Sequence, residues 1–338
     1  MDALPQTLPE IGTTGVMPTY RYDLRTTPPD VFVDVSETDW AALSWKDLGR
    51  PYLVENLSKR RRAWEQTHGE EMPVPVQWAH FNRHFHSLFV KDPDAEGARL
   101  QTALARHLKA MNLAGAREVM GELLQLRIWN HVHRTEDAVW DPRGKRALFE
   151  GLDVERPEIL FLGAADGYEA MQLLAMYPRG HAVLVDYDAF CETERFGNFP
   201  AAYPFLGTDP ATGAPAVYRR EDFAIDFEVA DIRDLRYGRE FDIVLSVGLI
   251  EHFPDAYKPL VFDFHRRFLK PGGYAVMTTP RRQLRSKAFY LAMGELMNYG
   301  YRELMDVRQM GKYAYDHGFE ILRAGHIKAH NGVVAKAR

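Results

Sequence analysis

The residue pattern predicts an α/β protein: a mostly parallel sheet, an antiparallel C-terminal strand and a mainly helical N-terminal domain. Three observations carry this reading. The first is Glu158-Ile-Leu-Phe-Leu-Gly-Ala-Ala-Asp-Gly167. An apolar run, Ile159 to Leu162, stops at Gly163, and a helical pattern with Met171, Leu173 and Leu174 follows Gly167. A buried parallel strand turns into a helix in this way at the carboxyl edge of an α/β sheet. The second is a series of later apolar runs that each end in polar residues. The third is the end of the chain, where Phe319-Glu-Ile-Leu-Arg323 and Gly332-Val-Val-Ala335 read as a closing antiparallel hairpin.

The N-terminal elements come first in the chain. Residues 1–29 are rich in proline, threonine and glycine and lack periodicity, which predicts an extended arm. Residues 30–141 read as a mainly helical domain. Trp40, Leu43 and Leu48 begin it. Leu100, Leu104, Leu108 and Met111 keep helical spacing, and Val119, Leu123, Leu126 and Ile128 keep it less strictly. The run Trp78 to Phe89 is dense in aromatics, as a packed helix is; it could also wall a pocket. Pro142 suits a helix start, with Arg146, Leu148 and Phe149 inside a helix that would pack beside the first strand.

The α/β part spans 142–338. Glycines belong at 163 and 167 because the backbone there must approach a ligand closely and adopt φ > 0. The helix that follows offers free N–H groups to a carboxylate or phosphate. His181-Ala-Val-Leu-Val-Asp186 is a second strand, ending in an acid 23 residues after Gly163. An acid at roughly 20 residues suits a ribose diol, whose two hydroxyls both donate to one carboxylate. Ile225-Asp-Phe-Glu-Val-Ala-Asp231 ends in another acid. Phe241-Asp-Ile-Val-Leu-Ser246 opens into Val-Gly-Leu-Ile-Glu-His-Phe253. Phe268-Leu-Lys-Pro-Gly-Gly273 ends a helix, and Tyr274-Ala-Val-Met-Thr278 is a strand. Two stretches exceed what such a fold needs: 196–222, read as a long loop, and 280–307, an aromatic insertion that either caps a ligand or packs as an amphipathic helix.

Taken in order, Leu162-Gly-Ala-Ala-Asp-Gly, Val185-Asp186, Val229-Ala-Asp231, Phe241 to Phe253 and Leu269-Lys-Pro-Gly-Gly273 resemble the motifs of class I S-adenosylmethionine-dependent methyltransferases. The resemblance runs from about Glu150 to the C-terminus. It implies a Rossmann-like, mostly parallel seven-stranded sheet and S-adenosyl-L-methionine as cofactor. It further implies that Gly163, Ala164, Ala165, Asp166 and Gly167 pass the methionine end. Asp186, with Tyr187 beside it, would hold the ribose. Asp231 would accept from the adenine amino group, with Ile232 against the ring. Ser246, Val247 and Gly248 would floor the sulfonium. The chain departs from the family at Phe161, where an acid is usual, and at Ala165, where a glycine is usual. Asp166 stands where it could supply the missing contact to the cofactor's amino group.

Glu251 and His252 lie just past the fourth strand, where the resemblance puts the acceptor. Histidine can take a proton near neutral pH, and glutamate can orient a cationic amine or guanidine. Glu251, Asp255 and Glu303 therefore point slightly towards N-methylation of a small molecule, such as a free amino acid or natural-product intermediate. O- or C-methylation is the rival. A catalytically silent cofactor-binding subunit is another reading, kept open by Phe161 and Ala165. A nicotinamide oxidoreductase fits less well, because Gly163 and Gly167 leave no Gly-x-Gly-x-x-Gly.

Composition bounds the rest. A chain of 338 residues, 46% hydrophobic, can bury two modest cores. Its net charge of −5, with no lysine-arginine stripe, argues against a nucleic-acid partner. Lys59-Arg-Arg-Arg62 reads as a solvated helix face. The single cysteine, Cys191, excludes internal disulfides and reads as a buried thiol in a reducing, cytoplasmic setting. The sequence shows no signal peptide and no membrane span. His80 and His84 share a helical face near His86, and His131 and His133 alternate as on a strand, but no converging acid is evident and no metal is expected. The N-terminal domain would cover the acceptor side or join two copies as a homodimer.

Overall fold

A computed structural model describes residues 32–55, 58–132, 148–201 and 203–338. The expected arm at 1–29, the helix start at Pro142 and His133 lie outside the described residues.

The N-terminal stretch opens with a two-residue strand, β1 (Val33–Asp34), a short helix, α1 (Trp45–Leu48), and a second short strand, β2 (Tyr52–Leu53). Four longer helices follow: α2 (Lys59–His68), α3 (Val74–Val90), α4 (Pro93–Lys109) and α5 (Leu113–Asn130). Three of them begin where the sequence supplies a capping side chain. Ser58 accepts from the Arg61 N–H, Asp92 from Asp94 and Ala95, and Asn112 from Gly115. Such a cap contributes about 1 kcal/mol. Helix α3 instead carries Pro75 in its first turn, where a missing N–H costs nothing. His131 continues α5 in helical conformation, so the strand reading of this histidine does not hold.

The remainder alternates strand and helix. It runs β3 (Glu158–Leu162), α6 (Tyr168–Met176), β4 (His181–Asp186), β5 (Phe205–Thr208), β6 (Pro215–Tyr218), β7 (Ala224–Val229) and β8 (Phe241–Val247). Then come α7 (Lys258–Arg267), β9 (Leu269–Pro280), α8 (Leu284–Ala292), α9 (Gly294–Met297), β10 (Glu303–Leu304), α10 (Val307–Asp316), β11 (Phe319–Ile327) and β12 (His330–Ala337).

The main sheet has the order β1-β11-β12-β9-β8-β3-β4-β7. Neighbours from β9 to β7 run parallel, and β12 runs antiparallel between β9 and β11. The strand order reverses at β3, between β8 and β4, so a crevice opens above its carboxyl end. Seven strands match the expected sheet. The eighth, β1, pairs Val33 with His326 and Asp34 with Gly325. A two-residue strand has too little periodicity to read from sequence. Strand β9 also starts earlier than Tyr274. Leu269 pairs with Phe241, and an irregularity absorbs the turn residues before Tyr274 meets Ile243.

Helices on both faces explain why the central strands are continuously apolar. Alternate residues of β3 enter different cores. Leu160 and Leu162 pack with α7 and α10 residues such as Phe264 and Met310. Ile159 and Phe161 pack with α6 residues Ala170 and Leu173, and with Leu148 and Phe149.

The stretch read as a long loop at 196–222 folds into the β5–β6 hairpin. It lies hard against α6: a Cβ on Gly207 would sit 1.7 Å from the Ala175 carbonyl oxygen. The 280–307 insertion forms α8, α9 and β10. Its Tyr290, Met293 and Met297 join Phe89 of α3 and Trp129 of α5 in a third core. Among the described residues no helix is long and apolar enough to cross a membrane.

Candidate active site

A cleft of about 780 Å³ opens above the carboxyl ends of β3, β4 and β8. Its floor is the bend between β3 and α6. Gly163 (φ 70°), Ala165 (φ 53°) and Gly167 (φ 73°) all take left-handed conformations. The Gly163 and Ala164 N–H groups both donate to the Val185 carbonyl, at 2.9 and 3.0 Å, which hooks the bend onto β4. Ala165 occupies the position where the family usually has glycine, and its backbone still adopts the glycine conformation, at roughly 1–2 kcal/mol. Gly163, Ala164, Ala165 and Asp166 line the cleft, whereas Gly167 shapes the bend from behind. A Cβ at Gly167 would meet Leu184 at 2.6 Å.

Asp186 ends β4 at the cleft wall, next to Tyr187. Its Oδ2 accepts from the Ala165 N–H at 3.2 Å and its Oδ1 from the Asp188 N–H at 3.1 Å. Each oxygen retains a lone pair. Burial pushes its pKa up, while these two N–H groups pull it down. The Tyr187 hydroxyl donates to the Pro75 carbonyl of α3 at 3.2 Å.

Asp231 also lines the cleft, with Ile232. Both its oxygens are held by Arg233, at 2.9 Å from Nε and 2.6 Å from a terminal nitrogen. The Arg233 guanidinium holds this carboxyl below the usual range. The resemblance implies an adenine amino donor at Asp231; a donor there would share the carboxylate with Arg233.

Val247 and Gly248 line the cleft, but Ser246 does not. Side chains alternate along β8, so Ser246 points to the other face. There its hydroxyl lies 2.7 Å from Nε2 of the fully buried His265. Burial lowers the His265 pKa to about 4. Its Nδ1–H donates to the Val261 carbonyl, so Nε2 accepts from Ser246. The expectation that Ser246 floors the site is corrected on this geometry.

The loop after β8 brings Glu251 and His252 to the cleft together. The His252 Nδ1–H donates to the Tyr301 carbonyl at 2.7 Å. Burial, with Arg302 nearby, holds its pKa well below 6.5, so the ring is neutral and Nε2 carries a lone pair. Trp78 of α3 packs edge-on against it, at 4.3 Å between ring centres. Glu251 is 2% exposed, and its Oε2 has no hydrogen-bond partner among the described residues. Burial pushes its pKa up to about 7. Its Oε1 lies 3.7 Å from His252 Nε2.

Asp255 and Glu303, expected to face the site with Glu251, do not line the cleft. Asp255 pairs with Arg50 at 2.7 Å and accepts from the Tyr313 hydroxyl. Glu303 is taken by Lys258 and Tyr301.

Helix α3 supplies the opposite wall. Trp78, Phe81, Asn82 and Phe85 follow the i, i+3, i+4, i+7 spacing of one helix face. The 280–307 insertion adds Phe289, Tyr290, Tyr301 and Arg302. The aromatic run Trp78 to Phe89 does wall the cleft, and Asn82, Arg195 and Arg302, which belong to no sequence motif, line it as well. His80 and His84 stack on Tyr299, and His86 meets Phe190 edge-on. Among the described residues no three metal-ligating side chains converge. Arg61, placed on a solvated face, instead pairs with Glu65 at 2.6 Å and donates to the Tyr299 carbonyl.

A family model described as a methyltransferase domain matches residues 132–324, more than half of the chain. Human N-acetylserotonin methyltransferase, solved in complex with SAM, aligns with a TM-score of 0.44 and 15% identity, over 66% of this chain and 56% of that one. The chain thus spans little more than half of that enzyme's length. An O-methyltransferase family protein from Burkholderia thailandensis aligns with a TM-score of 0.43 and 16% identity, over 72% of this chain and 71% of that one. The 1,6-didemethyltoxoflavin-N1-methyltransferase of the same organism, solved with 1,6-didemethyltoxoflavin and S-adenosylhomocysteine, gives 0.40 and 13%, over 63% and 87%. No protein of curated function matches the sequence.

Proposed function

The chain belongs to the methyltransferase-domain family matched over residues 132–324, and on that premise we propose that it methylates a nitrogen of a small-molecule acceptor. S-adenosyl-L-methionine is the methyl donor, and its sulfonium supplies the electrophilic methyl group when bound. The residues present fit it. The left-handed bend at Gly163 and Ala165 keeps backbone close to the cleft, and Asp186 presents a carboxylate with lone pairs to spare.

One observation carries the choice of acceptor. Glu251 and His252 line the acceptor end of the cleft side by side, with the neutral His252 Nε2 3.7 Å from Glu251 Oε1, so two hydrogen-bond acceptors stand together there. A primary amine has two N–H groups to give them and keeps its lone pair for the methyl group. A hydroxyl can donate to only one. His252 Nε2 takes the proton that the nitrogen sheds, while Nδ1–H stays fixed on the Tyr301 carbonyl. Positioned proton transfer of this kind contributes about 10²–10⁴-fold in rate. Ionised Glu251 also stabilises the positive charge that grows on the nitrogen. Trp78, Phe81, Phe289 and Tyr290 give the acceptor apolar walls.

The test is transfer of labelled methyl to matched pairs of small amines and alcohols. The account expects label in the amines. Label confined to the alcohols overturns the nitrogen assignment. Donor binding without turnover on any pool favours a silent subunit.

A further inference from the structure

We propose that Arg195 and Asp166 form a clamp for the zwitterionic amino-acid end of the methyl donor. The inference rests on the donor reading above and adds a residue that no motif contains. Arg195 lies in a single helical turn, Cys191–Phe196, beyond β4. Asp166 lies in the bend after β3. Their side chains meet at 3.3 Å, each only 6% exposed, and both line the cleft.

The pair is loosely joined for buried opposite charges, whose hydrogen bonds usually close to about 2.7–2.9 Å. Arg195 uses one terminal nitrogen on Asp166 and the other on Asn82 Oδ1, at 3.1 Å. A guanidinium has five N–H donors, so Arg195 keeps donors in reserve. Asp166 Oδ1 accepts from the Tyr168 N–H at 3.2 Å, and its Oδ2 meets Arg195. An α-amino acid end offers a carboxylate to Arg195 and an ammonium to Asp166. Its two charges sum to zero, so the buried site gains no net charge, and every charge meets its opposite.

The position agrees. Asp186, the candidate ribose ligand, bonds the Ala165 N–H one residue before Asp166. The clamp and the ribose carboxylate therefore flank one bend. Helix α3 braces the clamp: Asn82 accepts from Arg195 and donates to Asp188 at 3.2 Å, and Phe85 lies under the guanidinium, 4.9 Å from ring centre. Arg83 completes the line by pairing with Asp188 at 3.0 Å.

Calorimetry with two nucleosides tests this. S-adenosylhomocysteine carries the amino-acid end, and 5′-methylthioadenosine lacks it. The full chain should bind the first at least about tenfold more tightly, the scale of a charge-assisted hydrogen bond or two. Arg195→Met and Asp166→Asn should each lose about tenfold for S-adenosylhomocysteine. Both should keep methylthioadenosine affinity within about twofold, which also reports an intact fold. Arg195→Lys should fall between, because it keeps charge without the fork. Equal wild-type affinities overturn the clamp whatever the variants do. Parallel losses for both nucleosides overturn it too and make the pair a structural brace. A wild-type chain that binds neither nucleoside overturns the donor reading and the clamp with it; binding of methylthioadenosine as tight as S-adenosylhomocysteine overturns the clamp alone.

Discussion

The Lys258 Nζ lies 2.5 Å from Glu303 Oε1, with both side chains almost wholly excluded from solvent. The same ammonium donates to the Ile250 and Phe253 carbonyls, which bracket Glu251 and His252. Glu303 also accepts from the Tyr301 hydroxyl, and the Tyr301 carbonyl takes the His252 Nδ1–H. One buried charge pair thus ties the loop carrying the candidate base to the insertion that covers the cleft. Lys258→Met leaves Glu303 buried and unpaired and should cost about 3–5 kcal/mol in denaturant unfolding. Lys258→Met with Glu303→Gln should recover much of that loss. A double variant no more stable than the single one would show that the pairing is not what matters.

Glu251 makes stability and rate depend on pH in opposite senses. Burial raises its carboxyl from 4.5 to about 7 in the folded chain. Its protonated form is therefore favoured by folding. Its contribution is complete below 4.5 and is lost as pH rises to about 7, an upper bound of about 3 kcal/mol. Glu251→Gln should gain stability over wild type as pH rises from 5 to 8. The rate, which needs ionised Glu251, should rise through an inflection near 7 in wild type and lose that inflection in Glu251→Gln. A wild-type profile flat across this range counts against the assignment.

His252→Ala should lower kcat by about 10²–10⁴-fold and leave S-adenosylhomocysteine affinity unchanged. Because the ring is neutral throughout the working range, His252 should add no inflection of its own between pH 6 and about 8. Steady-state kinetics beside calorimetry check both statements. An intact kcat removes His252 as the base.

Gly167→Ala should destabilise by about 1–3 kcal/mol, since φ is 73° there and Leu184 stands in the way of a Cβ. Gly207→Ala should instead act on the β5–β6 hairpin through the Ala175 carbonyl. Thermal melting and hydrogen exchange distinguish these. A Gly167→Ala protein with unchanged melting would show that the bend is not strained.

The strands and the glycine bend were legible because each is written locally. Ile159 to Leu162 is apolar at every position as both faces are buried, and Gly163 stops it. Asp186 was legible by its distance from that bend. Ser246 was misplaced because a strand's facing residue changes with every step, and the motif alone does not say which way β8 is turned. Arg195 and Asn82 were not legible: they come from a turn after β4 and from α3, and only tertiary packing brings them to Asp166. Asp255 and Glu303 looked like site acids until their partners, Arg50 and Lys258, were seen across the fold. β1 and β2 escaped because two residues make no pattern.

The claim on which the rest depends is that the cleft above β3 and β4 binds the methyl donor through Asp186. Titrating S-adenosylhomocysteine into wild type and Asp186→Ala by calorimetry tests it directly. The account predicts saturable binding to wild type and a loss of about tenfold or more in the variant, the scale of a charged hydrogen bond. No binding to wild type, or equal affinity in the two proteins, would contradict it.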